Sequence, residues 1–190
     1  SSSRGLGDVY KRQIILFIYT LPVNAACDFM VDIGEKGGKL FNKYGPPFAD
    51  LPGSFIMPAI GPEMCPNDNL SEAIAIEYMF LGEKPEDAVL AGIKMVVLND
   101  EKNTESNKLT LMKYAKKVYG DFDTGQNPQI YNNYHTWEKN NKFILYMRMF
   151  EDGDRISEEL FISTKGYDKK LGEFYDKVEE AQSKAELGVE

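Results

Sequence analysis

Histidine chemistry in this chain depends on one residue, His135. A Ser-His-Asp or Cys-His nucleophile would have to be built on it, and catalytic zinc sites usually use two or three histidines. The residue lies in the alternating stretch 134–137, on the face opposite Tyr134 and Thr136 and on the same face as Trp137. We interpret it as a partly exposed strand residue, and we assign no catalytic residue, no metal site and no cofactor.

Carboxylates are abundant enough to allow a glycosidase-like pair, because 30 of the 190 residues are Asp or Glu. The neighbours Glu158 and Glu159 point to opposite faces of a predicted strand, so they cannot act together, and an ordinary solvated edge explains them. Residues 121–132 resemble a calcium loop only at their start. Their fifth, sixth and twelfth positions are Gly, Gln and Asn, where such a loop needs an oxygen ligand, Gly and Glu.

Aromatic side chains crowd one predicted hairpin and could recognise a ligand. Tyr and Trp on an exposed sheet face commonly form such a patch, whereas cross-strand packing into the core is the alternative explanation. The candidate binding residues are Trp137, His135, Tyr131, Tyr134 and Tyr146.

The two cysteines, Cys27 and Cys65, have two interpretations. In an oxidising compartment they form a disulfide, which would close a loop of about 38 residues and contribute about 3 to 4 kcal/mol in the chain-entropy treatment. Alternatively, the sequence Asn24-Ala25-Ala26-Cys27 resembles a lipobox, in which the cysteine carries lipid, although Asn24 stands where an aliphatic residue is usual. Both hypotheses use the same sulfur atom, so they exclude each other.

The N-terminal region predicts export. Residues 14–25 combine an apolar run of about ten residues, too short to span a bilayer, with the small residues of a signal-peptidase site. A buried N-terminal strand is the alternative. Residues 1–13 resemble translated adapter sequence from metagenomic assemblies, and we treat them as non-native. We expect no transmembrane segment after cleavage.

Residues 26–185 predict a single secreted α+β domain. Hydrophobic periodicity predicts helices over 35–44, 111–119 and 167–185, and strands over 74–80, 93–97, 134–138, 142–150 and 155–163. We expect an antiparallel sheet of about five strands with the helices packed on one face. The first two helices both end in Tyr-Gly before a loop and strands, which indicates either two tandem α-β-β units or the coincidence of a common helix stop.

The formal net charge of −8 opposes binding to nucleic acid or to anionic lipid. We expect an exported binding domain without catalysis, periplasmic or extracellular, whose partner is an envelope protein or a small ligand. The alternatives are an envelope hydrolase that uses carboxylates and a structural lipoprotein tethered through Cys27. A deep cleft with two facing, buried carboxylates would favour the hydrolase, and an exposed aromatic face or a flat groove would favour the binding domain.

Overall fold

The fold is that of a computed structural model, which describes residues 27–60, 64–65, 70, 74–97, 104, 109–120, 134–150 and 155–187. The predicted signal segment, the calcium-like loop and Tyr131 lie outside these residues. Within them the strands are β1 (Phe48–Ala49), β2 (Ser54–Ile60), β3 (Ile74–Leu81), β4 (Val89–Val97), β5 (Tyr134–Trp137), β6 (Lys142–Phe150) and β7 (Ile156–Thr164). The helices are α1 (Gly38–Tyr44), α2 (Thr110–Tyr119) and α3 (Lys165–Leu187). None of these helices is long and apolar enough to cross a bilayer.

All neighbouring strands are antiparallel, in the order β1-β2-β3-β4-β7-β6-β5. Helix α1 precedes β2–β4 and helix α2 precedes β5–β7, so each half contains one helix and a meander of three strands, with the two-residue β1 added to the first half. The last strands of the two halves, β4 and β7, pair at the centre, where Ile93 lies opposite Ile162. Each half therefore has one strand more than the α-β-β unit, which was one of the two interpretations of the sequence.

The sheet has seven strands rather than about five because β1 and β2 lie in a Pro- and Gly-rich stretch that reads as irregular. Pro58 is part of β2, opposite Glu77 of β3. Proline has no amide hydrogen and is tolerated only at the margin of a sheet. The other side of β2 pairs with the two-residue β1 at Phe55 and Ile56 only. Pro58 therefore has no strand on that side to which an amide hydrogen would have to be donated.

The core lies on one face of the sheet. Along the long strands, buried residues that point to this face alternate with residues that point to the other face. Helix α1 adds Leu40 to this core, and α2 adds Leu111 and Tyr114. Among the largest fully buried side chains are Trp137, Tyr78, Tyr146 and Phe80. The apolar periodicity that predicted α2 and the central strands is therefore the pattern that buries them.

Helix α3 packs on the opposite face, which we call the outer face. Its one buried residue, Leu171, lies beside Gly92 and Phe161, and both of these alternate with core residues of β4 and β7. A side chain on Gly92 would overlap the Phe161 ring, so this glycine is what lets the ring and the helix approach the sheet. The expectation of all helices on one face is therefore corrected for α3, which lies beside Gly92 and Phe161.

Candidate functional site

The aromatic group on β5 and β6 is not an exposed patch. Trp137 and Tyr146 are buried in the core, and the indole Nε1–H of Trp137 donates to the carbonyl of Gly120, 2.9 Å away, at the end of α2. Tyr134 is 66% exposed but points to the outer face, opposite Met147. The structure therefore separates the candidate binding residues, and cross-strand packing explains the buried ones.

His135 is buried rather than partly exposed, with its ring 6.5 Å from that of Tyr146. Burial lowers the pKa of His135 below its ordinary value, and the positive charges of Arg148 and Lys116 lower it further. A histidine enclosed in this way cannot reach a substrate, so its surroundings indicate a structural role.

Glu158 is fully buried, which corrects its interpretation as a solvated edge residue. Its carboxylate accepts hydrogen bonds from the backbone N–H groups of Leu111 and Met112 and from the hydroxyl of Tyr146, at 3.2, 3.0 and 2.8 Å. Burial, together with the adjacent Glu158 carboxylate, raises the pKa of Tyr146. Glu158 is the only buried carboxylate among the residues that the structure describes, and it binds the start of α2 rather than facing a second carboxylate in a cleft.

A concave site is built around residues 27–35, which we call the wall segment. The predicted disulfide between Cys27 and Cys65 is confirmed and fixes the beginning of this segment. The backbone N–H of Cys27 donates to the hydroxyl of Tyr114 at 3.1 Å, and that of Asp28 donates to the carbonyl of Met64 at 2.7 Å. The wall segment is thus joined to α2 and to the stretch around the second cysteine.

The other end of the wall segment is held by the sheet. The Gly34 N–H donates to the carbonyl of Leu90 at 2.7 Å, and the Leu90 N–H donates to the carbonyl of Glu35 at 2.8 Å. Gly34 has a φ of 95°, and a Cβ there would lie 2.9 Å from the ring of Tyr167, so both its conformation and its space require glycine. Between these ends, the Tyr78 hydroxyl donates to the Phe29 carbonyl at 3.3 Å.

The N-terminal groove lies between the wall segment, the end of α2 and the central strands, and has a volume of about 570 Å³. Its apolar surface includes Ile93 of β4, Ile162 of β7 and Val118 of α2. Tyr119 also borders it, and the ammonium group of Lys142 lies 5.9 Å from the centre of the Tyr119 ring. The groove therefore opens where the two halves of the sheet meet.

Charged groups of both signs surround this apolar surface. Asp28, Asp32 and Glu35 contribute exposed carboxylates from the wall segment, and Lys39 and Lys142 contribute ammonium groups. The Asp28 carboxylate also accepts the Met30 N–H at 2.9 Å, which stabilises a bend in the wall segment. These carboxylates are exposed, whereas the general acid of a glycosidase usually lies in an apolar, enclosed environment. The arrangement is suited to holding a ligand rather than to acid–base chemistry.

No three His, Cys, Asp or Glu side chains are grouped to hold a metal ion in the described ranges. The groove residues were missed in the sequence because hydrophobic residues such as Ile93 and Ile162 satisfy a core pattern equally well. The one signal for the site was Cys27, since a cysteine in a disulfide fixes the chain that follows it.

Comparison with known proteins gives no relative: no protein-family model, curated protein or solved structure matches this chain.

Proposed function

We propose that this chain is an exported binding domain that holds a small organic or peptide ligand in the N-terminal groove. The observation that carries the proposal is the attachment of the wall segment at both ends, by the Cys27–Cys65 disulfide and by hydrogen bonds to Leu90. A site fixed before binding avoids the entropy cost of ordering its own walls. An apolar surface with a few charged groups around it is typical of small-molecule sites.

The charge pattern narrows the ligand class. Ile93, Ile162 and Val118 offer apolar contact, while carboxylates on the wall segment and the ammonium groups of Lys39 and Lys142 can pair with charges of either sign. A ligand with an apolar body and both an amino and a carboxylate group would use all of these contacts. Short zwitterionic peptides have this chemistry.

The binding proposal is tested with a library of small organic fragments that includes zwitterionic dipeptides, screened by ligand-observed NMR on the full chain. Val118→Trp places a large ring in the groove, and we expect it to abolish the signals of the hits. Val178→Trp, at a half-buried position on α3 outside the groove, is the matched control and should leave them unchanged. A screen without hits, or hits that are insensitive to Val118→Trp, would overturn the proposal.

Export is proposed on two grounds: the predicted signal segment 14–25, and the disulfide, which persists mainly in oxidising compartments. The sulfur of Cys27 is bonded to Cys65, which favours the disulfide over the lipid-tethered alternative. The full chain, expressed in a bacterial host, should appear in the periplasm as a product that begins at Ala26 and is lighter by two hydrogens than the reduced chain. Retention in the cytosol, or a diacylglycerol on Cys27, would contradict this.

A further inference from the structure

Exposed apolar side chains of the described residues are concentrated on the outer face of the sheet. Three exposed large hydrophobic side chains lie on strands of this face, and a fourth, Tyr175, lies on α3 beside it: Phe48, Tyr134, Met149 and Tyr175. Strand pairing gives the placement, because Phe48 lies opposite Ile56, which in turn lies opposite Met79 of the outer face. Exposed apolar surface concentrated on one side of a protein marks an interaction site more often than scattered single residues do.

A groove of about 540 Å³ runs between α3 and this face. Its floor is formed by Met79, Leu145, Met147 and Phe161, and α3 contributes Leu171 and Tyr175. Methionine side chains are flexible and polarisable, so a methionine-containing floor can adapt to different apolar side chains. The floor is therefore suited to an amphipathic polypeptide segment, which is longer than the groove and can extend over the neighbouring exposed residues.

The rim of this groove is acidic. Four carboxylates line it, from Glu159, Asp168, Glu173 and Asp176, against the two lysines Lys94 and Lys169. Both lysines already pair with rim carboxylates: Lys94 with Glu159 at 3.6 Å and Lys169 with Glu173 at 3.7 Å. The rim thus keeps a net negative charge of two.

Nearby carboxylates extend this negative field. Burial and the charge of Glu138 raise the pKa of Asp168, and burial with the charges of Asp50 and Glu77 raises the pKa of Tyr175. Glu138 is itself paired with Lys165 at 3.0 Å, so the added negative charge comes mainly from Asp50 and Glu77 near Tyr175. A cation arriving at this rim would relieve repulsion among these groups.

We propose that the groove between α3 and the outer face docks a cationic amphipathic segment of a partner protein, with apolar side chains on the methionine floor and lysines or arginines at the acidic rim. A second copy of this chain is a poor occupant, because its formal net charge is −8 and two acidic rims would repel each other. The same charge disfavours nucleic acid. Recognition by a groove that receives the apolar face of a helix is a common mode of peptide binding.

The probe is a fluorescent amphipathic peptide of about four helical turns made only of leucine and lysine, titrated into the full chain by anisotropy at low salt. A peptide with glutamate in place of lysine tests the charge requirement, and it should not bind. The groove variant Glu173→Lys/Asp176→Lys changes two exposed rim residues and should weaken binding by about tenfold, because two attractive charges become repulsive.

The matched control is Glu180→Lys/Glu186→Lys, which changes two exposed residues of the same helix away from the groove and removes a comparable ion pair, Glu180–Lys184. The control has the same net charge as the groove variant, so the two differ only in where the charges lie. Because its changes lie away from the groove, binding should stay within about twofold of the wild type. Equal weakening by the two variants, binding of the glutamate peptide, or a dimer in sedimentation that excludes the lysine peptide would each overturn the proposal. Circular dichroism verifies that both variants keep the fold.

Discussion

Glu158 supplies from β7 the hydrogen-bond acceptor that α2 lacks in its own sequence. The N-cap position of α2 is Leu109, whose side chain makes no capping hydrogen bond, and Glu158 accepts from Leu111 and Met112 instead. The first N–H groups of a helix have no partner within it, and the helix dipole is positive at this end. A buried carboxylate here is therefore stabilising both as a hydrogen-bond acceptor and as a negative charge.

Replacing Glu158 by Gln should lower the free energy of unfolding by about 2 kcal/mol, because the amide group then opposes a backbone N–H donor with another donor. Urea denaturation measures the change. Glu159→Gln is the control, since Glu159 is half-buried and pairs with Lys94 at 3.6 Å. Its effect should stay within about 0.5 kcal/mol. Equal losses for the two variants would show that the capping contact is not the source of stability.

Sequence reasoning placed Glu158 and His135 on the correct strand faces but gave them the wrong environment. Period-two alternation separates Glu158 from Glu159 and places His135 on the face of Trp137, as found. Alternation does not say which face is buried when a strand carries polar residues on both, and Glu is seldom fully buried. The partners that make these positions favourable lie on α2 and β6, far along the chain.

The lowered pKa of His135 makes stability depend on pH. Because the unfolded chain binds the proton near the ordinary pKa of 6.5 and the folded chain only at lower pH, stability should fall as the pH drops below that value. His135→Met removes the titrating group. Methionine is chosen because Met57 lies opposite Tyr78 in the other half of the sheet, just as His135 lies opposite Tyr146. Melting temperatures at pH 7 and pH 5 should differ less for this variant than for the wild type, and an unchanged difference would contradict the assignment.

At the scale of elements, α3 depends on one buried contact. Leu171 is its only buried residue, whereas Leu187 near its end is 77% exposed. Leu171→Ala should cost about 2 to 3 kcal/mol and speed hydrogen exchange in the first half of α3. Leu187→Ala is the matched control, with little effect expected. If exchange in α3 stays slow after Leu171→Ala, other contacts hold the helix.

Elements with a clear period and their hairpin partners were predictable, and pairings between strands far apart in the chain were not. The hairpin of β3 and β4 and the turn at Asn140 and Asn141 follow from local sequence, and both asparagines have the positive φ expected, 50° and 65°. The pairing of β4 with β7 leaves no local mark, because the two strands are joined by most of the second half of the chain. The outer-face position of α3 was not predictable either, because it depends on the contact of Leu171 with Gly92, which is distant in the chain.

At the scale of the whole molecule, the disulfide connects the wall segment to the rest of the fold. Cys27→Ser/Cys65→Ser should lower the free energy of unfolding by about 4 kcal/mol, the chain-entropy value for a loop of this length. In the folded double variant, hydrogen exchange should rise in the wall segment while α3 is unaffected. Uniform acceleration across the chain would mean that the bond supports the whole fold rather than one wall.

The central position of β4 and β7 also determines the order in which the protein can assemble. In each half the free edge of the last strand, β4 or β7, stays uncovered until the other half is present, so we expect pairs as distant in sequence as Ile93 and Ile162 to form late. Such high contact order slows folding. In the interval, the nine-residue β4 is an open edge, able to pair with another chain. A newly synthesised copy of this protein is therefore most vulnerable to aggregation before β7 arrives, and a chaperone that protects it has one strand to cover.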